Sequence, residues 1–289
     1  MTNTEFAAEQ KSRLASYKED VLGVTRMGQY EGREYPHILP DEGRALNFLD
    51  TIRGACWDYL SNTNTRPDSG LSHLNSSQGL AFNFWFPSTP GDAPPQKWGV
   101  FARLCTFLGW EDIEIETAEF EAKRNVNENT NIDWWAEAAN GTQIFCEVKY
   151  TEPFGTAKDN STYRKQLKEV YEEELAPLLG TGTLDDFEFF RTNYQILRNI
   201  WHLHHGMGPE GNRVLFLLPA RSPSLSKLEA FIEKAIPPGT VAHERVSVAT
   251  LEKAALYLLG SSSCLEEERH WRLFLLKYCP WALSDQTIG

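Results

Sequence analysis

The sequence predicts an α/β sandwich built on a mixed sheet, and three observations carry that expectation. DIEIETAEFEA (112–122) alternates at period two, as a half-buried strand does. IDWWAEAA (132–139) and TQIFCEVKY (142–150) follow as two further strand patterns, parted by Asn140-Gly141, a hairpin signal. RVLFLLP (213–219) is a nearly continuous apolar run, which suits a strand covered on both faces. Helical patterns precede, separate and follow these strands, which defines the class.

The elements then take this order. Residues 1–20 read as a charged helical start, and EGREYPHILPDE (31–42), with two prolines, as an extended loop. Leu46, Leu49, Ile52, Cys56 and Leu60 form a helical stripe over 43–60. NTNTRPDSG (62–70) is turn-rich. Asn75, Ser76 or Ser77 caps a helix that Pro87 ends, and QKWGVFARLCTFL (96–108) makes another that stops at Gly109. Beyond the hairpin, a helix over 160–176 has Tyr163, Leu167, Val170, Tyr171 and Leu175 on its apolar side, with Pro177 as its stop. A helix over 186–205 carries the stripe Ile196, Ile200 and Leu203. A helix at 224–235, a short strand at 244–248 and helices at 249–259 and 265–277 complete the chain. The expected division is an N-terminal extension (1–70), a core (71–250) and C-terminal helices packed on it (251–289).

The composition of the 289 residues narrows the function classes. Hydrophobic residues make up 41% and charged residues 24%, which excludes a mostly disordered or collagen-like chain. The net charge of −12 argues against a simple nucleic-acid coat protein, but a local basic cleft acts through its own field. The polar N-terminus lacks the apolar stretch of a signal peptide, and no run is long enough to span a bilayer. Five scattered cysteines without CxxC spacing suit reduced thiols. The expectation is a cytoplasmic protein without membrane contact.

The chemistry is concentrated in NIDWWAEAANGTQIFCEVKY (131–150). Glu147 and Lys149 are two apart on a strand and share a face. Charged groups on such a face need pairing, solvation or a metal. Asp133 opens the preceding strand. A two-residue Asn140-Gly141 loop would pair position 133 with 148; a three-residue Ala139-Asn140-Gly141 loop, with Gly141 left-handed, pairs it with 147. The three-residue loop, or a bulge near Asp133, is favoured because either brings the carboxylates together. Two carboxylates form a hard-oxygen site for Mg²⁺, for which Mn²⁺ can substitute, and such a metal activates water for phosphodiester hydrolysis. Lys149 would orient that water or stabilise transition-state charge, and its anionic neighbours should keep it protonated. A solvated Glu–Lys pair beside an Asp is the plain alternative.

Asp133, Glu147 and Lys149 resemble the signature of the PD-(D/E)xK nuclease superfamily, with Ile132 where a proline is common. The order helix, three strands, helix, strand resembles that superfamily's core, which implies a restriction-endonuclease-like three-layer sandwich with added helices. YPHIL (35–39), LSHLNSSQGLAFNFWFP (71–87), EVKYTEPF (147–154) and NYQILRNIWHL (193–203) are similar to a narrower bacterial family classed with restriction endonucleases. The resemblance spans about residues 30–220 and leaves out the chain from about 225. It implies a metal-dependent DNA endonuclease acting in restriction, defence or repair. By the same resemblance Asp133 and Glu147 are metal ligands, Lys149 is the catalytic lysine, and Gln166 is a polar residue near the metal or a phosphate.

Further candidates surround this centre. Lys158 and Arg164, with Lys165 and Lys168, make a basic stretch suited to phosphate contact, although Lys165 and Lys168 suit a solvated face as well. Gln195, Arg198, His202 and His205 form a polar stripe that would contact phosphate or base if it faced a cleft. His202, His204 and His205 lack the local ligands of a structural zinc site. Ser76 and Ser77 are explained by capping, and Gln78 faces the site if the narrower resemblance holds. Glu119 and Glu121 are two apart on the first strand, as a polar outer face or as an added site acid. Trp134 and Trp135 point to opposite faces, one to the core and the other to a base or over the sheet. Three functions remain: a DNA nuclease, a catalytically inactive nuclease-fold module binding nucleic acid or protein, and an acidic subunit that reaches DNA through a basic partner. A homodimer would allow both strands to be cut.

Overall fold

A computed structural model describes residues 1–63, 65, 69–110, 113–124, 130–204 and 211–284. The N-terminal helix α1 (Asn3–Asp20) starts at a capping box: Thr2 Oγ1 accepts from the Glu5 amide, and Glu5 Oε2 accepts from the Thr2 amide. A small hairpin follows, β1 (Gly28–Tyr30) and β2 (Arg33–Tyr35), turned at Glu31 and Gly32, which both have positive φ. The hairpin takes the first part of the extended loop expected over 31–42, and residues 36–40 remain irregular.

Next come α2 (Arg53–Asn62), α3 (Ser77–Trp85), α4 (Val100–Leu108), β3 (Ile115–Ala122), β4 (Ile132–Ala138) and β5 (Gln143–Val148). The following helix runs through α5 (Ser161–Gln166), a π turn (Leu167–Tyr171) and α6 (Glu172–Leu175). Then come α7 (Phe187–Thr192), α8 (Tyr194–Trp201), β6 (Arg213–Leu218), α9 (Pro223–Ala235), α10 (Val241–Arg245) and β7 (Val246–Thr250). The helices α11 (Leu251–Gly260), α12 (Leu265–Tyr278) and α13 (Trp281–Ser284) end the described chain. No described helix is long and apolar enough to cross a membrane.

The main sheet has strand order β3-β4-β5-β6-β7. β3, β4 and β5 are antiparallel neighbours, whereas β5–β6 and β6–β7 are parallel. Alternation sorts its side chains into two layers. Trp134, Ala136, Ile144, Cys146, Leu215 and Leu217 share one core with Leu14 of α1, Trp85 of α3, Leu104 of α4, Leu258 of α11 and Trp271 of α12. Trp135, Phe145, Val214, Phe216 and Leu218 share the other with Leu167, Tyr171, Ile196, Ile200 and Phe231. Helices thus cover both faces of a mixed sheet, the restriction-endonuclease-like sandwich. Both ends of the chain contribute to the first core.

Tertiary contacts reshape several expected elements. The helix over 43–60 is a 3-10 turn (Asp41–Asn47) followed by α2. Asn83 Oδ1 accepts from the Leu49 amide at 2.8 Å, and Asn47 Nδ2 donates to the carbonyls of Leu71 and His73, so buried amides pin the chain where the stripe suggests a helix. The helix over 186–205 divides at Asn193 into α7 and α8. The Trp201 indole donates to the Val170 carbonyl at 3.2 Å inside the π turn, and this inserted donor accounts for the widened turn. The short strand expected at 244–248 runs over 246–250 behind α10.

The β4–β5 hairpin has the register Trp134↔Cys146, Trp135↔Phe145, Ala136↔Ile144 and Glu137↔Gln143. The Ala138 amide donates to the Thr142 carbonyl, leaving Ala139-Asn140-Gly141 as the loop, with Gly141 at φ +79°. This is the three-residue alternative. A side chain at position 141 is strained there, so Gly141→Ala should cost about 1–2 kcal/mol, read as a lower denaturant midpoint with an unchanged slope.

Candidate active site

The site forms where β4 and β5 part. Their regular pairing ends at Trp134↔Cys146, and the same register puts Asp133 opposite Glu147. The Val148 amide donates to Asp133 Oδ2 at 2.7 Å, so the carboxylate satisfies a main-chain donor beyond the last regular pair. Asp133 is half-buried. Burial and the neighbouring Glu147 push its carboxyl well above the usual aspartate range, although Lys149 and the Val148 amide oppose this.

Glu147 is 2% exposed, and three side chains donate to it. Oε1 accepts from Gln195 Nε2 at 2.6 Å and pairs with Lys149 Nζ at 2.9 Å. Oε2 accepts from Asn199 Nδ2 at 3.0 Å. Burial pushes the Lys149 ammonium down, but the Glu147, Glu152 and Asp133 carboxylates outweigh it, so the lysine stays protonated above its ordinary range.

The open lone pairs test whether a divalent cation fits. A carboxylate offers about four lone-pair directions. Glu147 uses three, which leaves one on Oε2. Asp133 Oδ1 accepts no bond from the described residues, while Oδ2 holds the Val148 amide. Two carboxylate oxygens on facing strands match the one or two carboxylates that Mg²⁺ takes beside waters and substrate phosphates. Among the described residues no group of three or more His, Cys, Asp or Glu side chains is placed to hold a metal. The donor set therefore fits an ion that relies on water and phosphate for its remaining ligands.

A raised Asp133 pKa has a thermodynamic consequence. The folded state then holds its proton more tightly than the unfolded chain, so this group stabilises at low pH. That contribution is complete below the unfolded aspartate value and is lost as pH rises through the raised folded value. Melting temperature should therefore fall over this range. Asp133→Asn should flatten the profile. Thermal melts across pH in EDTA measure both effects.

The other candidates separate by position. Gln166 is half-buried at the end of α5 and is not among the hydrogen-bond or ion-pair partners of Asp133, Glu147 or Lys149. Lys158 is exposed on the loop after β5. Arg164 is exposed, bonds Asp159 through Nε at 3.1 Å and Nη2 at 2.7 Å, and lies 4.0 Å over the Phe187 ring. Arg198 is half-buried, 5.9 Å from the Tyr194 ring.

The polar stripe on α8 does not face one cleft. Gln195 turns to Glu147, whereas His202 is buried and stacked on Phe145 at 4.7 Å. His205 lies outside the described residues. Asn199, which the sequence reading did not single out, is the second α8 donor to Glu147; its signal was the i,i+4 spacing from Gln195.

Ser76 caps α3 through the Gly79 amide, and Gln78 Nε2 donates to Glu121 Oε1 at 3.2 Å. Glu121 has φ +54°, accepts from Asn131 as well, and lies near enough to raise Asp133. Glu119 instead pairs with Arg124 at 2.8 Å, and Arg124 covers Trp135 at 3.3 Å. Trp134 is buried against Trp85, with ring centres 4.2 Å apart. Trp134 is thus the core ring, and Trp135, 2% exposed under Arg124, is the one that shields the sheet.

A mixed sheet with helices on both faces and an Asp–Glu–Lys group at its splayed hairpin defines a restriction-endonuclease-like protein. The chain belongs to the family described as Restriction Endonuclease associating with ARP, whose model matches residues 10–277. The match extends past residue 225 through α11 and nearly to the end of α12, beyond the span of the sequence resemblance. No curated protein and no solved structure matches the chain.

Proposed function

We propose that this protein is a Mg²⁺-dependent DNA endonuclease, with Mn²⁺ as a competent substitute. The observation that carries the reading is the facing of Asp133 and Glu147 across the splayed β4–β5 hairpin, with the Lys149 ammonium on Glu147 Oε1. The family's description supports a nuclease-class hydrolase.

Asp133 Oδ1 and Glu147 Oε2 would hold the ion, which when bound supplies an acidified water and neutralises phosphoryl charge. Lys149 donates from its protonated state, so it orients a water or stabilises the phosphorane oxygens and does not serve as the base. Gln166, at the end of α5, would act in catalysis by reaching a substrate phosphate. Lys158, Arg164 and Arg198 would contact the DNA backbone. The Arg164–Asp159 pair is surface-exposed and weak enough to be exchanged for a phosphate.

The family description names an ARP partner, and the net charge of −12 favours a basic protein bringing this chain to DNA. A homodimer would supply a second site for the second strand. The thiols of Cys56, Cys105, Cys146, Cys264 and Cys279 are free, which suits the cytoplasm.

The test is cleavage of supercoiled and linear DNA in Mg²⁺, Mn²⁺ or EDTA. Wild type should cut with either metal and not in EDTA. Lys149→Ala should cut about 10²–10³-fold more slowly. A chain that neither cuts DNA nor binds either metal is a binding module on a nuclease fold.

A further inference from the structure

Glu147 is held unusually well for a ligand. Gln195 and Asn199 lie four residues apart on α8 and so project from one helix face onto the carboxylate, one to each oxygen. Gln195 is itself fixed, because its Oε1 accepts from the Gly155 amide at 2.6 Å. Asn199 Nδ2 is also bound to the Gln195 carbonyl at 2.9 Å, and the residue is 3% exposed. The apolar neighbours Ile196 and Ile200 are fully buried, so α8 cannot rotate to release the pair without opening a core.

We propose that Gln195 and Asn199 are positioning residues that restrict Glu147 to single-oxygen ligation and thereby select the small Mg²⁺ over Ca²⁺. This rests on the nuclease reading above. With Gln195 and Lys149 on Oε1 and Asn199 on Oε2, only one direction on Oε2 remains open. Mg²⁺ takes a few carboxylate oxygens in near-ideal octahedral geometry and keeps several waters; Ca²⁺ accepts more oxygens and bidentate carboxylates. A carboxylate that cannot chelate withholds the second oxygen that favours the larger ion. Gln195 is then not the DNA contact that its sequence position suggested.

The experiment is calorimetric titration of Mg²⁺ and Ca²⁺ into the full chain, without DNA. Wild type is compared with Gln195→Met, Asn199→Leu and the double variant, each checked for folding by thermal melt. Gln195→Met, at a half-exposed position, guards against the failure of the buried Asn199 variant to fold. DNA affinity is measured in parallel across salt concentrations.

The double variant, or Gln195→Met alone to a smaller degree, should shift the Ca²⁺/Mg²⁺ affinity ratio about tenfold towards Ca²⁺. DNA affinity and its salt slope should remain as in wild type. An unchanged ion ratio in folded variants overturns the inference while the nuclease reading stands. DNA binding weakened about equally at every salt concentration, with unchanged metal affinities, makes Gln195 an uncharged DNA contact and also overturns it. A wild type that binds neither ion overturns the nuclease reading and this inference with it.

Discussion

Glu147→Ala should abolish measurable cleavage and lower stability, and Glu147→Gln should separate the two effects. The alanine variant removes the facing oxygen that Asp133 needs for a two-carboxylate site and the partner of Lys149. Loss of one such electrostatic element costs about 10²–10³-fold in rate, and loss of the metal with it takes the rate lower still. The stability change has opposing parts. Removal of Glu147 relieves its repulsion of Asp133, and Glu152 and Asp133 remain to balance Lys149. Asn199 keeps its bond to the Gln195 carbonyl and the half-exposed Gln195 can turn to water, but both amides and the Lys149 ammonium lose their charged acceptor, at about 1–3 kcal/mol in all. The donor loss dominates, so the alanine variant should melt lower. Glutamine retains the side-chain volume and one acceptor oxygen, but its NH2 group must face a donor where Glu147 offers a second oxygen. It should therefore melt between the alanine variant and wild type and still fail to cut, as measured by plasmid nicking beside differential scanning calorimetry.

Trp134→Ala should produce the largest loss of stability at a site outside the proposed chemistry. Trp134 is fully buried, stacks on Trp85 with only 9° between the rings, and donates to Thr89 Oγ1 at 3.2 Å. It packs from β4 onto Trp85 of α3 within the first core. Removing an indole from such a position costs about 3–5 kcal/mol, a large fraction of the stability of most domains. The urea midpoint should fall steeply with an unchanged slope. Because Trp134 adjoins Asp133, cleavage should fall at temperatures where the variant begins to unfold and recover on cooling. Trp134→Phe should retain most of the packing.

Local chemistry made the hairpin legible. Asn140-Gly141 with period-two alternation on both sides marks the hairpin but admits a two- or a three-residue loop; the left-handed Gly141 and the Ala138–Thr142 bond decide for three, which places Asp133 opposite Glu147. The two-core architecture was legible because RVLFLLP has no polar face and must be covered on both sides. What escaped the sequence depended on distant partners. The break after Asn47 is made by Asn83, thirty-six residues away, and a stripe of Leu and Ile cannot report that contact. The Gln195 side chain reaches Glu147 across 48 residues, so its partner follows from where α8 packs on the sheet and not from its own polarity. The division of Glu119 from Glu121 follows from the positive φ at Glu121, which period-two reasoning does not anticipate. His202 looked polar by spacing but stacks in a core.

The most direct test of the central claim is a crystal of the protein grown with Mn²⁺ and a short DNA duplex, read by anomalous scattering. A peak is expected within coordination distance, about 2 Å, of both Asp133 Oδ1 and Glu147 Oε2, with a DNA phosphate oxygen among the remaining ligands. A peak elsewhere, or DNA bound and cut with no ion between these two carboxylates, would contradict it.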